Sequence, residues 1–175
     1  PAGAAGPGVV APNAGVVGGF LAGSGPGRVL LSHAKAVLTA VGARRKGKLA
    51  PVKAEVDDVT PPHGTLETIV VVRHTGVDCP MLEGRDVFYD EILAAADPVC
   101  APEPLDAEHP LFILYSSGST AKPKGILHTT GGYLTGVAWS FRNVFDVKPD
   151  KDVFFCTADV GWITGHSYMI YGPMA

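Results

Sequence analysis

Short apolar runs are the feature that most constrains how this chain folds. One run, within 68–73, contains Ile-Val-Val-Val, and another, at 111–115, reads Leu-Phe-Ile-Leu-Tyr. Unbroken apolar runs of this length are typical of strands buried on both faces, as in parallel sheets. Weaker runs of the same kind lie at 36–39 and 153–157. We therefore predict that these four segments join one mainly parallel sheet.

Helical patterns separate the predicted strands. Residues 86–96 place apolar side chains at helical spacing, and a second apolar stripe runs through 133–144. Four prolines within 98–110 indicate an extended connector, and the basic residues at 44–48 predict a loop. Since strands alternate with helices, the predicted class is α/β, with helices packed on a mainly parallel sheet.

The start of the chain has a different composition from the rest. Residues 1–27 include nine glycines and four prolines and carry no charged side chain. Backbone entropy opposes regular structure in such a stretch. We expect a weakly ordered leader over 1–27, followed by a folded domain over 28–175.

Charge and cysteine content narrow the classes of function. The net charge is −3, so no overall basic field attracts nucleic acid or an acidic membrane surface. We expect neither as a partner, and any anion must be bound locally. Cys79, Cys100 and Cys156 lie far apart without a C-x-x-C pair, which supports neither a zinc ribbon nor a dense disulfide framework. A reducing compartment, the cytoplasm, is the expected location.

The segment 116–125 carries the clearest chemical signal. It reads Ser-Ser-Gly-Ser-Thr-Ala-Lys-Pro-Lys-Gly and follows a predicted buried strand. Hydroxyls and backbone N–H groups donate hydrogen bonds to phosphate oxygens, glycines admit a close backbone approach, and lysines neutralise charge. A Walker A loop is excluded, because Pro123 would interrupt the helix that such a loop must open. A solvated turn rich in serine and lysine remains the alternative.

Longer motifs around this segment resemble a known family. They are Y-S-S-G-S-T-A-K-P-K-G at 115–125, I-L-H-T-T-G-G-Y-L at 126–134 and C-T-A-D-V-G-W-I-T-G-H-S-Y at 156–168. The chain resembles the acetyl-CoA synthetases of the acyl-adenylate-forming superfamily. This resemblance implies a ligase that forms acetyl-AMP from acetate and ATP, and then acetyl-CoA from acetyl-AMP and CoA.

The resemblance also implies roles for individual residues. The residues that would hold the β- and γ-phosphates of ATP are Ser116, Ser117, Gly118, Ser119, Thr120, Lys122, Lys124 and Gly125. Those that would form the pocket for the acid are Trp162, Ile163, Thr164 and Gly165. Those that would contact CoA are Arg45, Lys46, Gly47, Lys48 and also Thr164.

The resemblance further implies that the chain is an incomplete portion of a large N-terminal domain. No catalytic residue and no metal ligand is expected in it, so ATP would bring Mg²⁺ whose ligands lie outside these residues. The chain alone is then expected to be inactive. Ala121 stands where the family usually has glycine, which puts the loop conformation in doubt. Two functional alternatives stay open: a noncatalytic nucleotide- or anion-binding remnant, and a ligase that prefers propionate.

Overall fold

A computed structural model describes residues 34–60, 66–116, 124–159 and 162–175. The chain divides into two compact units, Pro1–Cys100 and Ala101–Ala175. The leader predicted at 1–27 lies outside the described residues.

The first unit is built on a three-stranded parallel sheet. Strand β4 (Thr68–Val72) lies between β1 (Ala36–Ala40) and β5 (Asp86–Phe88). Its alternate residues Ile69 and Val71 are completely buried, because a central strand is covered on both edges and one face packs on the core. The parallel sheet and its flanking helices confirm the predicted α/β class.

Helix α1 (Val52–Val59) and helix α2 (Tyr89–Ala95) flank this sheet. The prediction of one helix over 86–96 was wrong in its first turn. Residues 86–88 instead form β5, because the edge of β4 offers backbone partners: Ile69 N–H donates to the Arg85 carbonyl at 2.9 Å. Apolar spacing alone does not reveal such an edge.

The basic segment at 44–48, predicted as a loop, forms a β-hairpin. Strand β2 (Ala43–Arg45) pairs antiparallel with β3 (Lys48–Ala50). The two residues between them, Lys46 and Gly47, both have positive φ, at 49° and 76°. Positive φ at both central positions is what a two-residue type I′ hairpin turn requires. Glycine at the second position signals such a turn in the sequence.

The second unit begins with a different sheet. Strand β6 (Pro110–Ser116) confirms the strand predicted at 111–115, but it pairs antiparallel with β7 (Lys124–Thr129). The preceding residues 97–109 are neither helix nor strand, as expected of the proline-rich connector. The single mainly parallel sheet was therefore the wrong arrangement: the described strands form three separate sheets.

Helix α3 (Thr130–Asn143) follows β7 and confirms the predicted stripe, since Val137 and Phe141 are buried. The strand predicted at 153–157 was wrong, because this segment pairs with no strand in the described part of the chain. Phe154 packs instead against Phe141, with ring centroids 4.8 Å apart. Phe154 alone of this run shows such packing, since Val153 and Phe155 are 97% and 83% exposed.

Three short helical segments end the described chain. They are α4 (Ile163–Gly165), a π-helix (His166–Tyr171) and α5 (Gly172–Met174). Gly172 lies so close to the Phe141 ring that a side chain would collide with it. Within the described residues, no helix is both long enough and apolar enough to span a membrane.

Candidate functional site

The β6–β7 hairpin holds both ends of the segment predicted to bind phosphate. Ser116 pairs with Lys124 in the register of the two strands, so the segment between them starts and ends at directly opposed residues. Lys124 and Gly125 are exposed in β7. The predicted phosphate ligands Ser117, Gly118, Ser119, Thr120 and Lys122 lie outside the described residues. The hairpin therefore places one predicted lysine, Lys124, at the mouth of this loop.

The packing around Gly125 leaves little room for a side chain. A Cβ at this position would lie 3.0 Å from Ile113 Cγ2 and 3.1 Å from Tyr115 Cε1. These distances are tighter than ordinary van der Waals contact, so Gly125 lets the Tyr115 ring lie across the strand pair. A glycine predicted to admit phosphate thus also shapes the base of the loop.

The end of β7 is anchored to the connector before β6. The N–H of Thr130 donates to the His109 carbonyl at 2.9 Å, and that of Gly131 donates to Ala107 at 2.8 Å. The Thr130 hydroxyl donates to the same His109 carbonyl at 3.0 Å. These bonds fix the start of α3 directly behind the hairpin.

An aromatic cluster supports the same hairpin from within the second unit. The Phe112 ring lies 4.8 Å from both His128 and Tyr133, and Tyr133 lies 5.3 Å from Tyr171. The Tyr133 hydroxyl is 2.7 Å from Ser167 Oγ. Burial raises the pKa of Tyr133 against the opposing effect of that hydrogen bond. His128 packs among rings here, between Phe112 and Tyr133.

A cleft of about 500 Å³ opens beside this cluster. Its lining residues come from β7, α3 and the π-helix: Leu127, His128, Thr129, Gly132, Tyr133, Gly136, Val137, Ser140 and Tyr168. None of the four residues predicted for the acid pocket lines it. The sequence indicated no cleft at this place. Six of the nine lining residues lie in the family motifs, whereas Gly136, Val137 and Ser140 do not.

The predicted acid-pocket residues lie together at the start of α4. Trp162 precedes the helix and is 71% exposed, Ile163 is half-buried, Thr164 is exposed and Gly165 is buried. The N–H of Gly165 donates to the Trp162 carbonyl at 3.0 Å. The described residues thus bring the four together along the backbone.

The predicted CoA residues all belong to the β2–β3 hairpin or its turn, apart from Thr164 in the second unit. The register pairs Arg45 with Lys48 across the hairpin. Lys46 and Lys48 are exposed, as is Arg44. Ion pairs among the described residues engage other cations of the chain, but none of these three. Exposed cations on a tight turn suit the binding of an anion.

A buried charge cluster, not recognised as a site from the sequence, lies beneath the first turn of α1. We call it the Lys53 cluster; it consists of Lys53, Asp57, Arg85 and Asp86. Lys53 is 1% exposed and the Asp86 side chain is fully buried, with Lys53 Nζ 2.7 Å from Asp86 Oδ2 and 2.7 Å from Asp57 Oδ2. Arg85 binds both carboxylates at 2.6 Å. The cluster thus joins α1 to the start of β5.

Burial and hydrogen bonding act in opposite directions on the pKa of Asp86. Burial by itself would raise its pKa, but hydrogen bonds from Arg85 and Lys53 outweigh burial and lower the pKa from 3.8 to about 2. The backbone N–H of Leu82 donates a further bond at 2.9 Å. The carboxylate therefore stays ionised well below neutral pH.

Comparison with known proteins identifies the class. Residues 28–175 match the family described as AMP-binding enzyme, so the chain belongs to that family. The matched range covers both units, apart from residues 1–27 of the first unit.

Individual relatives refine the comparison. The chain is 50% identical over 161 residues to "Acetyl-coenzyme A synthetase" of Mycobacterium tuberculosis, which covers 91% of this chain and 25% of that protein. It is 51% identical over 160 residues to the protein of that name in Streptomyces avermitilis, and 52% over 161 residues to that of Pasteurella multocida; each alignment covers 91% of this chain and 24% of the relative. The resemblance to acetyl-CoA synthetases is confirmed. The chain spans about a quarter of the length of these relatives.

Proposed function

We propose that this chain is part of an ATP-dependent acetate–CoA ligase, forming a portion of its N-terminal AMP-binding domain over 28–175. The observation that carries the proposal is the identity of about half of all residues across 91% of the chain with proteins named acetyl-coenzyme A synthetase. ATP, acetate and CoA are the proposed small-molecule substrates. A cytoplasmic location is proposed with it.

In the first proposed step, an acetate oxygen attacks the α-phosphorus of ATP, and the bond to the bridging oxygen breaks as pyrophosphate leaves. Negative charge accumulates on the leaving group. The segment 116–125 is proposed to bind the β- and γ-phosphates, with the hydroxyls of Ser117, Ser119 and Thr120 as donors. Lys122 and Lys124 supply positive charge where the leaving group develops it. The antiparallel pairing of Ser116 with Lys124 supports this role by holding both ends of the loop.

In the second proposed step, the CoA thiol loses its proton to solvent and its sulfur attacks the acyl carbon of acetyl-AMP. The bond from that carbon to the phosphate oxygen breaks, and AMP leaves. The exposed β2–β3 hairpin is proposed to bind the phosphates at the nucleotide end of CoA through Arg45, Lys46, Gly47 and Lys48, with Thr164 as a further contact. The absence of ion pairs at Lys46 and Lys48 within the described region supports an anionic ligand. Trp162, Ile163, Thr164 and Gly165 are proposed to set the size of the acid.

The proposal assigns no resident metal ion to the described residues. They contain no group of three or more His, Cys, Asp or Glu side chains placed to hold one. We therefore treat Mg²⁺ as a companion of ATP and assign it no ligand in this part of the chain.

A chimera tests the proposal. The 161 matched residues of this chain replace their counterparts in the Mycobacterium tuberculosis relative, and the purified protein is assayed for acetate-dependent ATP–pyrophosphate exchange and for acetyl-CoA formation. We expect both activities. The control is a chimera with Lys124→Ala, which should retain its fold and lose most of the exchange. A folded chimera that binds ATP without any exchange would contradict the proposal and favour the noncatalytic remnant.

A further inference from the structure

The Lys53 cluster holds a helix that begins directly after the β2–β3 hairpin. Strand β3 ends at Ala50, and α1 begins at Val52. Lys53 therefore sits in the first turn of α1, only five residues beyond Lys48 in the hairpin. Its ammonium reaches Asp86 at the start of β5 and the Pro80 carbonyl at 3.3 Å. The cluster thus ties the chain leaving the hairpin to the parallel sheet.

The other end of the hairpin is tied to the same sheet. Val41, two residues before β2, donates its N–H to the Val72 carbonyl at 3.0 Å. Gly42 packs against the exit from the hairpin, since a Cβ there would lie 3.0 Å from the Ala50 carbonyl oxygen. The first and last residues of the hairpin are therefore adjacent. The direction in which the hairpin projects depends on the sheet, which holds its first end, and on α1, which follows its last strand.

Buried ion pairs are a poor source of stability, because removing two charges from water costs nearly as much as their attraction returns. They do impose geometry, since each bond has a narrow range of distance and direction. Lys53 has two carboxylates and a carbonyl as partners, and Arg85 bridges the same two carboxylates. Because these bonds form a closed network, they hold the first turn of α1 in one orientation on the sheet.

We propose that Lys53 and Asp86 are positioning residues for the β2–β3 hairpin, which they hold in the direction needed to bind the phosphates of CoA. The inference rests on the proposed CoA role of that hairpin. Neither residue touches CoA, because both are buried. A displacement of about 1 Å in a binding element is enough to lower catalytic efficiency up to about a hundredfold. Loss of the network should therefore weaken the use of CoA and spare the formation of acetyl-AMP.

The test uses the chimera and separates the two half-reactions. Acetate-dependent ATP–pyrophosphate exchange needs no CoA, whereas acetyl-CoA formation gives the KM for CoA. We expect Lys53→Met to raise that KM about tenfold and to change exchange less than about twofold. Asp57→Asn, at a carboxylate that is 29% exposed, is the milder variant, with an expected rise of about threefold. If Lys53→Met does not fold, the effect of Asp57→Asn on the KM for CoA tests the proposal instead.

Two controls make the result specific. Lys35→Met removes an exposed lysine of the same unit, whose ion pair is with Glu67, and should leave both assays unchanged. Lys48→Ala probes the hairpin itself and should raise the KM for CoA without slowing exchange. If Lys48→Ala raises the KM but folded Lys53→Met and Asp57→Asn do not, the positioning role is wrong and the CoA role stands. If Lys53→Met lowers exchange and CoA use equally, the positioning role is also wrong. If Lys48→Ala leaves the KM for CoA unchanged, both the positioning role and the CoA role of the hairpin are wrong.

Discussion

Acidification should weaken the first unit through a single buried carboxylate. The pKa of Asp86 is lowered from 3.8 to about 2. A group whose pKa is depressed by folding contributes stability above its unfolded pKa and loses it as the pH falls through the folded pKa. A shift of nearly two units corresponds to about 2 kcal/mol of the free energy of unfolding. About half of this contribution is lost between about pH 6 and pH 3, because near pH 3 the unfolded carboxyl is mostly protonated and the folded one is not.

Urea unfolding of the chain, followed by far-UV circular dichroism, measures this effect. Asp86→Asn removes the titrating group, so it should unfold more easily than the original chain at about pH 6. The difference in unfolding free energy between the two proteins should shrink by about 1 kcal/mol on going to about pH 3.

Asp90→Asn is the matched control. Asp90 pairs with Arg73 on the surface, where its side chain is 59% exposed. Exposed ion pairs contribute little, so its difference from the original chain should stay constant over the same pH range. The reasoning about Asp86 is refuted if the Asp86→Asn difference is as independent of pH as that of Asp90→Asn.

Three further changes test other parts of the chain. In the chimera, Lys124→Ala should slow ATP–pyrophosphate exchange by about ten- to a thousandfold as an electrostatic stabiliser is lost, whereas Lys151→Ala, at an exposed lysine outside the proposed sites, should not. Ile163→Ala should improve kcat/KM for propionate or butyrate relative to acetate by up to about a hundredfold, since it enlarges the proposed pocket; an unchanged ratio would remove Ile163 from the pocket. Gly172→Ala should lower the unfolding free energy by about 1–3 kcal/mol because its methyl group meets the Phe141 ring, and an unchanged urea midpoint would contradict that contact.

Several elements could be predicted from the sequence because their signals are local. The apolar runs at 68–73 and 111–115 became β4 and β6, since a continuous apolar segment of that length is buried most readily as a strand. The stripe through Val137 and Phe141 became α3, because its period matches one face of a helix.

Strand partners could not be predicted in the same way. Strand β6 pairs with the residues that follow the phosphate segment, and Gly125 permits this by leaving room for Tyr115. The run at 153–157 is equally apolar, yet Phe154 packs on α3 and the run joins no sheet in the described part of the chain. Apolar character favours burial but does not select the surface that provides it.

The candidate sites show the same difference between features that local sequence predicts and features that depend on tertiary contacts. By itself, the sequence determined the class of fold, the family and the residue types of the phosphate segment, because these depend on neighbours along the chain. That Lys53 and Asp57 meet Arg85 and Asp86 depends on the tertiary structure, because about thirty residues separate the two pairs. Their charges are stable in the interior only when the fold brings all four together, and no local pattern records that condition.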